Sequence, residues 1–274
     1  MNNSARNSSD AVLAFDRVAA DYERTRPLPD AVGDSVAQFI VGTVGEDDWL
    51  LDAGCGTGRF TRPLARHHTR TVAFDAAPAM LAELRRLQGS ERMPLLVTGD
   101  LRNLPFADAQ FATVLSVHVL HLVADWRGVL GEMWRTLAPG GTLFFGNEDR
   151  EPSAVRDFYF REGGRLGLLP AHPGVRDTER NLLPVLEGWG ATDVKRTAPD
   201  EWAWLHTQSV AGKFADLEAR LYSSQWEIPD EAHRAILDAT RAHAEAVFGA
   251  LSVSSEDVAE TIRTQFVLWG VRKG

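Results

Sequence analysis

The sequence predicts an α/β fold, a doubly wound and mostly parallel Rossmann-like sheet, and three observations predict it. Apolar runs of strand length alternate with amphipathic helical runs between residues 49 and 146. The run Leu50-Leu51-Asp52-Ala53 leads directly into Gly54-Cys55-Gly56-Thr57-Gly58, and two later strand-like runs end in acidic residues, Asp75 and Asp100. Crossover helices between parallel strands produce that rhythm, and open sheets of this kind bind ligands beyond the carboxyl ends of their strands. With 274 residues, 44% of them hydrophobic and 24% charged, the chain has material for a sizeable core.

Taken in order, the polar segment 1–10 reads as a flexible tail without a secretion signal, and 11–274 as a single domain. A helix over 11–24 repeats Val12, Phe15, Val18, Ala19 and Tyr22 at helical spacings, and a second, Asp30–Val41, follows Pro27 and Pro29. Strands at 49–53, Thr71–Asp75, 94–99, Phe111–Val117 and 141–146 then alternate with helices at 58–67, 78–87 and 125–137. Pro139-Gly140-Gly141 reads as a sharp stop between the last of these helices and its strand. Beyond Asn147 the rhythm breaks. Residues 151–260 read as a lid-like, mostly helical insertion, with helices at 177–188, 208–221 and Asp230–Phe248 and a strand at Ala191–Arg196, and 264–271 reads as the last strand.

Composition excludes several classes. A formal net charge of −9 argues against nucleic acid as a partner, because nonspecific affinity for it comes from clustered Lys and Arg. The single cysteine, Cys55, leaves no internal disulfide and no CxxC metal cluster, which agrees with a cytoplasmic location; no metal site is expected. No apolar run is long enough to span a bilayer.

Alternating glycines after a strand let the backbone turn sharply and approach a ligand, while the following helix offers unpaired N–H groups to an anion. A dinucleotide fingerprint would place its third glycine at position 59, which is Arg59. Asp75 stands about 20 residues beyond the glycines, where an acid can accept two ribose hydroxyls; taken alone it is also a helix cap before Pro78. Asp100 can accept an amino group while Leu101 offers its N–H, and Val117, His118 and His121 lie at the end of the strand that leaves the middle of the sheet.

The run Asp52-Ala53-Gly54-Cys55-Gly56-Thr57-Gly58, with Asp75, Gly99-Asp100-Leu101 and Leu120-His121-Leu122, resembles the class I S-adenosylmethionine-dependent methyltransferases over about 50–147. Within them it resembles the small-molecule group that includes the ubiquinone and menaquinone biosynthesis enzymes. That resemblance implies a seven-stranded sheet with one antiparallel strand, and S-adenosylmethionine as cofactor, leaving as S-adenosylhomocysteine. Asp52, Gly54 and Gly56 would bind its methionine portion, Asp75 the ribose, Ala76 and Met80 the adenine face, and Asp100 with Leu101 the adenine edge. Val117 and His118 would line the sulfonium side, and Tyr22 and Arg26 would close over the site.

Methyl transfer from a sulfonium is a direct displacement, so alignment and exclusion of water matter most, and a base is needed only for a hydroxyl acceptor. His121 is the first candidate base and His118 the second, with Glu148 and Asp149 as further proton acceptors. Phe158, Tyr159, Phe160, Trp202, Trp204 and Trp226 either line an apolar acceptor pocket or form the insertion's core. The expected function is methyl transfer to an O, N or C nucleophile of a small apolar or aromatic metabolite, by a monomer or homodimer. A nicotinamide-dependent oxidoreductase and a non-catalytic S-adenosylmethionine-binding module are the alternatives.

Overall fold

The computed structural model describes residues 15–169, 173–198, 200–250 and 256–274. The expected tail, 1–10, lies outside the described residues, as does the start of the first expected helix. The described chain divides into two compact units, the first running up to Glu148 and taking in 172–202 and 266–274, the second comprising 149–171 and 203–265. Residues 151–260 are therefore shared between the units, with 172–202 belonging to the first.

Eight strands form in the order β1 (Leu50–Ala53), β2 (Thr71–Asp75), β3 (Leu95–Thr98), β4 (Phe111–Val117), β5 (Leu137–Arg150), β6 (Ala191–Arg196), β7 (Ala203–Ser209) and β8 (Ala259–Lys273). Seven of them follow the path β3-β2-β1-β4-β5-β8-β6. The pairs β2–β3, β1–β2, β1–β4 and β4–β5 are parallel, and β6 runs antiparallel to β8. This is the doubly wound sheet expected, with eight strands among the described residues rather than seven, because β7 pairs with β8 off the main path. Strand order reverses between β1 and β4, so the crevice beyond their carboxyl ends is where a ligand fits.

The helices are α1 (Asp30–Val41), α2 (Thr61–His67), α3 (Pro78–Gln88), α4 (Trp126–Thr136), α5 (Arg156–Arg165), α6 (Leu183–Gly188), α7 (Val210–Glu218) and α8 (Asp230–Phe248). On one side of the sheet Leu51, Val114 and Leu143 pack against Val129, Leu130 and Met133 of α4, all fully buried. Each such side chain contributes roughly 1.5–3 kcal/mol by leaving water. Asp125 starts α4 by accepting the Gly128 N–H at 3.0 Å.

Several boundaries depart from expectation for local reasons. The first helix tightens into a 3₁₀ turn over Ala19–Thr25, where the Thr25 hydroxyl donates to the Tyr22 carbonyl at 3.1 Å ahead of Pro27. α2 begins at Thr61 rather than at 58, because Gly58 has φ +83° and cannot be helical. Pro139-Gly140-Gly141 is no stop: β5 begins at Leu137, and the pairing shifts from Phe111↔Leu137 to Thr113↔Thr142 around Gly140 at φ +74°. β5 also runs on to Arg150, so Glu148 and Asp149 lie within it. In the second unit β7 occupies part of the helix expected at 208–221 and pairs antiparallel with residues 259–265. The Ser209 hydroxyl then accepts the Gly212 N–H at 3.0 Å and starts α7.

The aromatic residues read as an acceptor pocket or a core are divided between the two units. Tyr159 is fully buried in the second unit's core with Val155, Phe214 and Ile236, and its hydroxyl meets His233 Nδ1 at 2.5 Å. Phe160 packs edge-on against Tyr159, and Phe158 stacks on His243. Trp202 belongs to the first unit, against Phe39 and Phe266. Tyr159, Phe160 and Trp202 thus pack within their own units.

Candidate active site

The loop after β1 is built by its glycines. Gly54, Gly56 and Gly58 have φ of +85°, +55° and +83°, the left-handed region that side chains avoid. The N–H groups of Gly54 and Cys55 donate to the Phe74 carbonyl at 2.8 and 3.0 Å, and the Gly56 N–H donates to Asp75 Oδ2 at 2.8 Å. A Cβ at Gly54 would fall 2.3 Å from Val119 and one at Gly58 2.6 Å from Leu84. At Gly56 the nearest atom would be Tyr22 Cε1 at 4.0 Å. Gly54 and Gly58 are thus required by packing, whereas Gly56 opens on space that reaches to the Tyr22 ring.

Two carboxylates, the buried Asp52 and the half-buried Asp75, border this loop. Asp52 accepts the Thr61 hydroxyl at 2.5 Å; burial, helped by the nearby Asp75 charge, pushes its carboxyl up to about 7 against the Thr61 hydrogen bond. Asp75 accepts the Gly56 N–H with one oxygen and the Ala77 N–H at 2.9 Å with the other, so it ties the loop to the start of α3. Burial still raises its carboxyl above the usual range. Asp75 is not itself the cap of α3, which is Ala77, but it fixes the turn ahead of that helix and its carboxylate retains acceptor capacity. A ligand carrying a cation and hydroxyls would suit a cradle with two destabilised carboxylates and a glycine open toward an aromatic ring. S-adenosylmethionine has that donor set, so the residues fit it.

The remaining expected contacts are distributed unevenly. Ala76 is partly buried beside Asp75, and Met80 is 2% exposed on α3. Leu101 is buried, but Asp100 is gripped by its neighbour: Arg102 Nε lies 3.0 and 2.9 Å from the two carboxylate oxygens and Nη2 2.5 Å from Oδ2. The Arg102 guanidinium holds the Asp100 carboxyl below its usual range. An adenine amino group would have to share Asp100 with that guanidinium.

The N-terminal segment reaches the loop through a residue that sequence reasoning passed over. Glu23 accepts the Thr57 hydroxyl at 3.0 Å and Arg62 Nη2 at 2.7 Å on each oxygen. This clasp holds Tyr22 beside Gly56, and the Arg26 guanidinium lies over the Tyr22 ring at 4.1 Å. Arg26 also donates to the Thr25 hydroxyl at 2.7 Å. Nothing in local patterning marks Glu23; its proximity to Tyr22 is the only signal.

At the end of β4, Val117 pairs with Gly146, and His118 adopts φ +57° while its N–H points to the Gly146 carbonyl at 3.4 Å. Left-handed backbone at a non-glycine residue concentrates at functional sites. His118 Nε2 lies 4.0 Å from Glu148 Oε2, and the His118 and His121 rings meet edge-on at 6.3 Å. The backbone of His121 is zipped to the chain that follows, its carbonyl accepting the Gly174 N–H at 3.1 Å. Glu148 is not a free proton acceptor: it is ion-paired with Arg59, and both side chains are buried. Arg59, read in the sequence only as a missing glycine, is therefore part of the site. Among the described residues no cluster of His, Cys, Asp and Glu could hold a metal ion, and no helix is long and apolar enough to cross a membrane.

Part of the chain is similar to known proteins. Residues 51–145 match the model of the methyltransferase domain. The chain is 34% identical over 139 residues to a malonyl-[acyl-carrier protein] O-methyltransferase of Serratia marcescens, a match covering 51% of this chain and 52% of that protein. It is 36% identical over 152 residues to a demethylmenaquinone methyltransferase of Tropheryma whipplei, covering 53% and 62%. The chain thus spans about half the length of the first of these curated relatives. Among solved structures, phosphoethanolamine N-methyltransferase 2 of Haemonchus contortus in complex with S-adenosyl-L-methionine superposes with a TM-score of 0.55 at 13% identity, covering 94% of this chain and 57% of that one. That likeness concerns the fold.

Proposed function

We propose that this chain, whose residues 51–145 are a methyltransferase domain, moves a methyl group from S-adenosylmethionine to an O, N or C nucleophile of a small apolar or aromatic metabolite. The observation that carries the reading is the Gly56 opening, bordered by Asp75 and by Tyr22. Bound there, the cofactor supplies an electrophilic methyl carbon on a sulfonium. Asp75 would hold its ribose, Asp52, Gly54 and Gly56 would border its methionine portion, and Ala76 and Met80 its adenine face. Tyr22 and Arg26 close over it, and Asp100 with Leu101 receives the adenine edge.

His118 is a better base than His121 on this geometry, because it stands at the carboxyl end of β4 in a left-handed conformation with a carboxylate near its Nε2. It takes the proton of a hydroxyl acceptor as the new bond forms. A carbon or strongly basic nitrogen nucleophile needs only the alignment.

Calorimetric titration with S-adenosylhomocysteine and with NAD separates this reading from a nicotinamide oxidoreductase; tight binding of NAD alone would overturn it. Arg59 speaks against NAD, since its buried guanidinium fills the position of the third fingerprint glycine. Incubation with methyl-labelled cofactor and a cytoplasmic metabolite extract identifies the acceptor. Binding without any labelled product would instead favour a non-catalytic module. Size-exclusion chromatography with light scattering decides between the monomer and the homodimer.

A further inference from the structure

We infer that Glu148, locked by Arg59, is a positioning residue that stabilises the protonated imidazole of His118 as an acceptor hydroxyl loses its proton; the inference rests on the transferase reading above. The Glu148 side chain is 1% exposed and that of Arg59 7%, and Arg59 Nη2 donates to Glu148 Oε1. The other carboxylate oxygen faces His118 Nε2 at 4.0 Å, and the His118 side chain is 26% exposed. Solvent and acceptor can therefore reach the imidazole, while the carboxylate behind it is sealed.

The geometry specifies what each group does. A carboxylate in a dry environment takes up a proton unless it is paired, so the guanidinium keeps Glu148 ionised. At 4.0 Å the Glu148–His118 contact lies within ion-pair range and beyond hydrogen-bond range, so it acts through charge and does not by itself fix a tautomer. Register keeps the two together: Val117 pairs with Gly146, the N–H of His118 points to the Gly146 carbonyl, and Glu148 lies two residues further along the same strand. Behind the pair, the Arg59 guanidinium carbon lies 5.7 Å from the Phe60 ring centre, and Phe60 stacks on Phe266 at 4.6 Å. Arg59 Nε is buried without a hydrogen-bond partner, so the guanidinium engages Glu148 at its Nη2 end. The charged and titratable groups facing His118 include Glu148 of β5, Arg59 beyond it, and His121 of its own loop.

In the step itself, the acceptor oxygen takes the methyl carbon, with the electron pair of the old carbon–sulfur bond left on sulfur. His118 takes the hydroxyl proton and later releases it to solvent. Glu148 offsets the positive charge that His118 carries in between. An opposite charge about 4–6 Å away favours the charged form, and Arg59, on the far side of the carboxylate, weakens this effect without cancelling it.

The test is an NMR titration of ring-labelled histidines in the full chain, with His118→Asn assigning the His118 signal. Glu148→Gln is expected to make protonation of His118 about tenfold less favourable, with S-adenosylhomocysteine affinity unchanged within about twofold. Since Glu148→Gln strands a buried guanidinium, the double variant Glu148→Met with Arg59→Met, which removes both charges together, is measured alongside and should move the titration in the same direction. With a hydroxyl acceptor in hand, the acid limb of kcat should shift with the titration while KM holds. A His118 titration that stays within about twofold in both variants overturns the inference, as does a parallel loss of S-adenosylhomocysteine binding. A shifted titration in a protein that methylates nothing supports the coupling and overturns the transferase reading alone.

Discussion

The carboxylate of Asp75 accepts the N–H of Gly56 at 2.8 Å and, through its other oxygen, the N–H of Ala77 at 2.9 Å. One side chain at the end of β2 thus fixes the loop after β1 and the entry to α3. An amide cannot reproduce this, because its NH₂ would confront a backbone N–H. Asp75→Asn is therefore expected to weaken S-adenosylhomocysteine binding at least tenfold, nearly as much as Asp75→Ala, and to cost about 1–3 kcal/mol of stability. Calorimetry and denaturant titration check both figures. An Asn variant that binds like the wild type would mean that the loop does not depend on this carboxylate.

The three glycines of the loop should respond differently to alanine. At Gly54 a Cβ would lie 2.3 Å from Val119 and at Gly58 2.6 Å from Leu84, so both substitutions force packed side chains aside as well as straining φ. Their cost should exceed about 2 kcal/mol. At Gly56 a methyl group meets nothing closer than 4.0 Å, so Gly56→Ala should cost only the roughly 1–2 kcal/mol of its left-handed backbone. Its methyl group nonetheless enters the space assigned to the cofactor. A Gly56→Ala protein that melts near the wild type and yet fails to bind S-adenosylhomocysteine is the expected outcome; unimpaired binding would move the cofactor elsewhere.

These residues also mark how far the sequence alone could be read. Gly54, Gly56 and Asp75 were legible because a left-handed turn admits few residue types, and the alternation of strands and helices from β1 to β5 follows from burial of both sheet faces. The Glu23–Arg62 clasp was not legible, since a salt bridge between residues 39 apart leaves no trace in periodicity. β7 was missed because Ala203–Ser209 lacks a clean alternation, with Leu205 69% exposed, and the apolar residues that follow suggested an earlier helix start. That Arg59 and Glu148 meet is visible only in the fold, because residues 89 apart leave no joint pattern in the sequence.

The two histidines at the end of β4 can be separated by substitution. Asn tolerates the left-handed φ of +57° at His118, so His118→Asn keeps the backbone while removing the base. With a hydroxyl acceptor, kcat is expected to fall about 10²–10⁴-fold at unchanged S-adenosylhomocysteine affinity. His121→Ala leaves its main-chain bond to Gly174 intact and should keep turnover within a few fold. Full turnover by His118→Asn, or its collapse in His121→Ala, would reverse the assignment.

Asp52 sets stability against binding. Its carboxyl stands at about 7 in the folded chain against an ordinary 3.8, chiefly because it is buried. The folded-state value is raised, so the stability that the neutral form contributes is complete below 3.8 and is lost as pH climbs toward 7. Above that the fold carries a buried anion. Asp52→Asn keeps an oxygen to accept the Thr61 hydroxyl and removes the charge, so the ligand-free variant should be more stable than the wild type by about 1–4 kcal/mol at about pH 8. The advantage should vanish near pH 4, where Asp52 is neutral in the folded chain as well. A bound ammonium or sulfonium favours the ionised carboxylate, so the affinity of the wild type for S-adenosylmethionine should rise with pH up to about 7. In Asp52→Asn it should be weaker and flat. Melting temperatures and calorimetric affinities collected over the same pH series test the pairing, and a variant that melts below the wild type at pH 8, or binds S-adenosylmethionine as tightly, would remove the buried charge from the account.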